Sequence, residues 1–500
     1  MLAIVLIGAF LRVYQLSAQS IWLDEAFSVR ISQLPVLQMV LATAGDVHPP
    51  FYYFLLHYWI MVFGTSESAV RLLSVLFGVL SIPMIYIVGR QLFNKEAGLV
   101  AALILALSSF NIYYSQEARM YSLMVLLALL SMHFFWRFLQ QSSLVSSVGY
   151  VLSTAFLVYT HDYGWFVVIA ENIFVATLLL LSKHRTYKLR HWVALQAIVA
   201  ALYVPWIVVL KSQFLARQAN GTWLAPPTLT TIIDTFYTYS STEVLLALFL
   251  GLSVLSLFAF QRVRGAMDWK APLKVLESYV WEVSLQDPAP LYFLAVLLLA
   301  VNLIPFTISH FSAPIYLDKY AIVGSVALYL LVAKGISNIS HKYTKLAVIG
   351  LIVILFVPNL QVYYTTTQKS LAREAAGLIY VNAKNGDVIL VTPEYQDQVI
   401  SYYNTRTDLA IKVLGLPLLS GNNTQAETDI LQSDLSGYDR VWFVATQLPG
   451  SQPTEDFTLS FLNKSYAESY AQSFAIANIS PLIDKSHSYN YNVYLYEKRA

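Results

Sequence analysis

The chain has 500 residues, 57% of them hydrophobic and 12% charged, with a mean hydropathy of +0.57. Ordinary soluble domains are roughly 45–50% apolar, so this composition reads as a polytopic membrane protein. With 31 basic against 29 acidic residues, the net charge of +2 offers nothing to a nucleic acid, and zero cysteines exclude disulfides, thiolate metal sites and cysteine nucleophiles.

Eleven apolar runs, centred near residues 8, 79, 105, 129, 154, 172, 201, 250, 299, 324 and 353, are expected to be spans of about 20 residues each. The first, from Met1 to about Leu16, is short. With no polar region before it and no small-residue cleavage site after it, it reads as a true span with a truncated start, not as a signal peptide.

"SIWLDEAFS" (20–28) follows at once. Trp22 and Phe27 flank Asp24 and Glu25, which puts two carboxylates at headgroup level, where a carboxylate can take a proton from an incoming hydroxyl. A wet loop also carries acidic residues for no such reason, so the pair alone decides nothing. In "GDVHPPFYYFLLHYWIMVFG" the double proline sets a helix start. The aromatic helix after it, about 14 residues, is too short to span and is expected to lie along the interface. His48 heads it, as a polar anchor or as a substrate ligand.

Between the third and fourth runs, "NIYYSQEARMYS" holds Glu117 and Arg119, either a solvated pair or an arginine fork suited to phosphate oxygens, with Tyr113, Tyr114 and Tyr121 as a wall beside it. "YTHDYGW" puts His161 and Asp162 in a tight turn, where capping is the plain reading. "SAPIYLDKYAI" sets Lys319 and Tyr320 at the head of the tenth run, where a lone lysine commonly snorkels.

Lys and Arg assign the orientation. A cytoplasmic N-terminus puts Arg90, Lys95, Arg137, Lys183, Arg185, Lys188, Arg190, Arg262, Arg264, Lys270, Lys274, Lys334, Lys342 and Lys345 inside, in loops that read as basic linkers. The outer loops keep few, chiefly Arg30, Arg119, Lys211, Arg217 and Lys319. All the motifs above then face outward together. From about residue 363 helix-like stretches alternate with strand-like runs, "DVILVT", "RVWFVAT" and "NVYLYE". The expected division is a transmembrane domain over 1–362 with interfacial outer-loop helices, and an extracytoplasmic α/β domain over 363–500 bearing the sequons Asn422, Asn463 and Asn478.

Taken together, the motifs resemble the C-type (GT-C) superfamily of glycosyltransferases that use lipid-linked sugars, in particular the protein O-mannosyltransferase and aminoarabinose-transferase group. The likeness rests on Asp24-Glu25 after the first span, "DVHPP" at 46–50, Arg71 in "SAVRLLS", "QEARMYS" at 116–122 and the Tyr-Thr-His turn at 159–161. It implies a polyprenyl-phosphate-linked sugar donor and inverting attack by an acceptor hydroxyl on a glycan, lipid or protein. Asp24 would be the base and Glu25 would orient it or the acceptor. Arg119 and Lys319 would hold the leaving phosphate, Arg71 and His48 would position substrate, and Glu117, Tyr121, His161 and Tyr320 would complete the binding site. The location implied is a plasma (inner) membrane, multi-pass.

Three departures stand out. Lys319-Tyr320 replaces the usual Arg-Tyr, which keeps the charge and loses the fork. Val47-His48 replaces the Glu-Lys of the aminoarabinose branch, so no cofactor is assigned and a divalent metal is left open. The loop at about 211–240 is too short for a β-trefoil, which argues against a protein acceptor. The competing reading is a transporter or flippase for a lipid-linked saccharide, which calls for repeat symmetry and ionisable residues at mid-membrane.

Overall fold

The computed structural model describes residues 1–181, 186–222, 224–264, 279–285, 288–418, 424–448, 450–476 and 489–499. Lys183, Arg185, Lys270, Lys274, Asn422 and Asn478 lie outside the described residues. In chain order the first thirteen helices are α1 (Leu2–Val13), α2 (Leu23–Ser32), α3 (Val36–Ala44), α4 (Phe51–Phe63), α5 (Glu67–Leu92), α6 (Lys95–Leu107), α7 (Ser109–Ser115), α8 (Tyr121–Gln140), α9 (Leu144–Thr160), α10 (Gly164–Leu181), α11 (Thr186–Asn220), α12 (Leu229–Ser240) and α13 (Glu243–Leu255). The basic segment after them carries an antiparallel strand pair, β1 (Phe258–Arg264) with β2 (Tyr279–Leu285), and is more than a linker. Then come α14 (Pro288–Phe311), α15 (Val323–Ser337) and α16 (Lys342–Thr365).

Every apolar run is helical, but the runs differ in length. Among the described residues six helices, α5, α8, α10, α14, α16 and the Leu189–Ala219 part of α11, are long and apolar enough to cross a membrane. The count is eight if the bent pairs α6–α7 (63°) and α12–α13 (90°) are each one span. The other three expected spans, α1, α9 and α15, have 12, 17 and 15 residues, short of the roughly 20 that a crossing needs.

The chain packs as two compact units. One comprises residues 1–14, 35–62 and 71–361, and within it α15 packs against α6, α8, α13 and α14. Every residue from Val323 to Ile336 is buried, as an all-round apolar helix must be inside a bundle. The two bends in this unit have a common origin in polar side chains that take over freed backbone groups. At the end of α6 the buried Arg12 guanidinium donates to the carbonyls of Leu105 (3.0 Å) and Ala106 (3.2 Å), while Ser108 Oγ caps α7 by accepting the Asn111 amide (3.2 Å). Gln116, just past α7, returns the favour to α1 by donating to the carbonyls of Arg12 (3.0 Å) and Tyr14 (2.8 Å). At the other bend Ser241 sits in the left-handed region (φ 70°) and Thr242 caps α13. Tyr329 of α15 joins both breaks: its hydroxyl donates to the Tyr239 carbonyl (2.8 Å) and lies 2.9 Å from Ser108 Oγ.

The second unit takes residues 15–34, 63–70 and 362–500. It adds α17 (Ala372–Asn382), β3 (Val388–Thr392), α18 (Asp397–Tyr402), β4 (Lys412–Gly415), α19 (Thr424–Leu435), β5 (Arg440–Thr446), α20 (Gln452–Ser465), β6 (Tyr466–Phe474) and β7 (Tyr491–Lys498). The sheet order is β4-β3-β5-β7-β6, parallel across β4, β3 and β5 and antiparallel at β7. The three strand-like runs of the sequence are β3, β5 and β7, and their apolar residues, with Leu431, Leu435 and Leu462 of the helices, form the core. Residues 15–34 and 63–70 join this unit although composition assigns them to the membrane part. Polar contacts hold them: the Ile21 amide donates to Tyr403 Oη (2.6 Å), Tyr402 Oη donates to the Thr65 carbonyl (2.6 Å), and Arg373 pairs with Glu67.

Candidate functional site

In the helical unit, four segments distant in sequence bring their aromatic and basic side chains together. His48 precedes α4, Tyr121 opens α8, His161 caps the end of α9, and Lys319 and Tyr320 precede α15. Ring centroids lie 4.9 Å apart for His48 and His161, 4.8 Å for His161 and Tyr320, 5.7 Å for His48 and Tyr320, and 6.3 Å for Tyr121 and Tyr320. The Lys319 ammonium lies 5.9 Å from the Tyr121 ring centre and 5.8 Å from that of Tyr320, and the residue is 3% exposed. That is a cation over two aromatic faces in a buried setting, which differs from a lysine reaching for water.

Arg119 is buried in the turn between α7 and α8. Its Nη1 donates to Tyr53 Oη (3.2 Å), and its carbonyl accepts from Ser74 Oγ (3.0 Å), which lies 2.9 Å from Tyr52 Oη. The aromatic helix α4 therefore grips the arginine turn, a role for Tyr52 and Tyr53 that alternation of apolar residues does not reveal. Arg71 on α5 and Glu117 in the same turn as Arg119 are also buried in this unit.

Burial and the cations Arg119, Arg217 and Lys319 push the His161 imidazole down to about 3; burial, His161 and the same cations hold His48 well below its usual value. Both rings are neutral at physiological pH. His161 Nδ1 accepts the Tyr163 amide (3.1 Å), which assigns the proton to Nε2. Among the described residues no three His, Asp or Glu side chains gather as a metal donor set.

Asp24 and Glu25 belong to the second unit. They open α2, and their environments diverge. Glu25 is fully buried; its Oε2 accepts the Lys369 ammonium (2.8 Å) and the Trp22 amide (3.4 Å). Asp24 is half-buried, and its carbonyl accepts Ser28 Oγ (2.8 Å). Lys369 is the residue that sequence reading misses. Its only signal is a lysine in the polar stretch "TTTQKSLARE" just past the last apolar run.

Residues 47–209 match the family described as dolichyl-phosphate-mannose-protein mannosyltransferase. Among solved structures, ArnT from Cupriavidus metallidurans bound to undecaprenyl phosphate superposes with a TM-score of 0.60 at 12% identity, covering 99% of this chain and 97% of that one. The oligosaccharyltransferase of Archaeoglobus fulgidus, in a complex with zinc and sulfate, gives 0.56 at 12% identity, covering 96% and 72%. No curated protein matches the sequence. The chain has the fold of the GT-C glycosyltransferase superfamily.

Proposed function

We propose that the protein is a membrane glycosyltransferase that moves a sugar from a polyprenyl-phosphate donor to an acceptor hydroxyl on the extracytoplasmic face, with inversion at the anomeric carbon. The observation that carries this reading is the placement of two buried cations, Arg119 and Lys319, in one unit with the neutral His48–His161 pair and the Tyr121 and Tyr320 rings. Two cations away from bulk water suit a leaving group that gains negative charge as the sugar departs, because charge stabilisation grows as the dielectric falls. A polyprenyl phosphate is such a leaving group, and ArnT, whose fold this chain shares, is known bound to one. Asp24 takes the acceptor proton, and Glu25, held by Lys369, fixes the start of α2 and so aims Asp24. Arg71, Glu117, His48, His161, Tyr121 and Tyr320 position donor and acceptor.

The test is turnover by the purified protein of a panel of polyprenyl-phosphate sugars, read as release of polyprenyl phosphate. Release with at least one donor is expected. Binding and vesicle flux of a donor with no release would replace the transferase with a transporter of lipid-linked saccharides.

A further inference from the structure

A small cavity of about 90 Å³ opens beside the His48–His161 pair and shares Arg217, Thr222, Leu224 and Pro314 with the lining of a wider groove of about 450 Å³. Its polar lining includes two residues to which the motifs assign no substrate role, Asp162 and Arg217. Asp162 follows His161 in the turn between α9 and α10, and Arg217 lies near the end of α11. Among the described residues the Asp162 carboxylate accepts one long bond, from Tyr203 Oη at 3.4 Å, whereas an ionised carboxylate can accept about four. Arg217 donates to the Val47 carbonyl through Nη2 (3.3 Å), one of the five N–H groups that a guanidinium carries. His161 is 2% exposed, and its Nε2 has no hydrogen-bond partner among the described residues. A buried donor left so costs about 1–3 kcal/mol, and native structures seldom tolerate that without a ligand or a water.

Charge selects the occupant. Asp162 repels an anion at this position and Arg217 repels a cation, so a phosphate and an amine are both disfavoured. A neutral hydroxyl suits all three groups, since it donates to a carboxylate and accepts from a guanidinium or an imidazole N–H. The Tyr163 and Tyr320 rings, 5.5 Å apart, add aromatic surface for the C–H face of a ring. We propose that Asp162, Arg217 and His161 form a subsite that reads the hydroxyls of an uncharged sugar ring, with Asp162 and Arg217 as specificity-determining residues. The inference rests on the glycosyltransferase reading. The ring is either the sugar of the lipid-linked donor or that of a glycan acceptor.

Saturation-transfer NMR of the full chain in detergent, with methyl pyranosides of mannose, glucose, galactose and arabinose, tests it. At least one glycoside should give a signal that falls about fivefold or more in Asp162→Asn and in Arg217→Gln, with Arg217→Lys intermediate. Thermal melting is followed in parallel, and a variant that melts early is replaced by Asp162→Glu or Arg217→Lys. Competition assigns the source. Quenching by a polyprenyl-phosphate sugar but not by sugar-free polyprenyl phosphate marks the donor ring, and quenching by neither marks an acceptor ring. No signal from any glycoside, or equal signals in wild type and folded variants, means that the cavity holds only water and overturns the subsite. Turnover of a lipid-linked donor would survive that result. A variant-sensitive glycoside signal without turnover would instead keep the subsite and remove the transferase.

Discussion

Asp24 and Glu25 are neighbours in sequence, and their surroundings assign them different work. Glu25 is buried against Lys369, and removing one partner of a buried ion pair typically costs 3–5 kcal/mol because the other charge is stranded. Glu25→Gln should therefore show its effect first in melting temperature. Asp24→Asn is nearly isosteric and cannot accept a proton at neutral pH, so it should leave expression, melting and donor binding close to wild type while lowering transfer about 10²-fold or more. Near-normal transfer by Asp24→Asn would remove Asp24 as the base. Lys319 is testable at the same scale. If its ammonium holds the donor phosphate, donor affinity should drop at least tenfold in Lys319→Ala and be kept or improved in Lys319→Arg, which adds a fork without removing charge. Equal affinity in wild type and Lys319→Ala, by titration with a polyprenyl-phosphate sugar, would leave the lysine a packing role over Tyr121 and Tyr320.

At the scale of elements, four apolar helices are tied by one buried carboxylate. Glu171 of α10 accepts from Tyr150 Oη of α9 (2.7 Å) and from Ser131 Oγ of α8 (2.9 Å), and Gln196 of α11 donates to the same tyrosine oxygen (2.9 Å). The apolar periodicity of "GWFVVIAENIFVATLLLL" shows a helix and leaves its one acidic residue unexplained, because its partners come from two other elements, α8 and α9. Glu171→Leu strands the Tyr150 hydroxyl, while Ser131 Oγ can turn to Thr154 Oγ1 2.9 Å away, so it should cost about 1–3 kcal/mol for the one buried donor. Glu171→Gln should cost much less. In a double-mutant cycle with Tyr150→Phe, part of the Glu171→Leu loss should be recovered, and strict additivity would show that the bond carries no coupling. The bends obey the same logic. Ser108 and Thr242 are of the residue types that favour caps, while Arg12 becomes intelligible only once α6 is seen to end at Leu107, with the Leu105 and Ala106 carbonyls needing donors.

At the scale of the whole molecule, each of the eleven runs picked out by hydropathy holds a helix and the strand pattern located β3, β5 and β7, because both depend on local periodicity, whereas α3 and α12 lie in segments read as loops. The union of 15–34 and 63–70 with 362–500 depends on contacts such as Arg373–Glu67 and Lys369–Glu25, between residues some 300 positions apart, and no local pattern encodes it. The residues gathered at the His48–His161 pair became candidates through motifs that resemble those of the GT-C superfamily and through the assumption that their loops share one face of the membrane. That assumption is a statement about topology, and it rests on the crowding of Lys and Arg into alternate loops. If it holds, a reporter fused after Ala500 should be extracytoplasmic, and one inserted at Gln141, in the turn between α8 and α9 next to Arg137, should be cytoplasmic. A third reporter in the loop after α11, near Gly221, should side with the first. Paired reporters active in opposite compartments, such as alkaline phosphatase and green fluorescent protein, make the comparison direct. Finding Gln141 and Ala500 on the same side would break the alternation on which the outward-facing site depends, even with every ring distance unchanged.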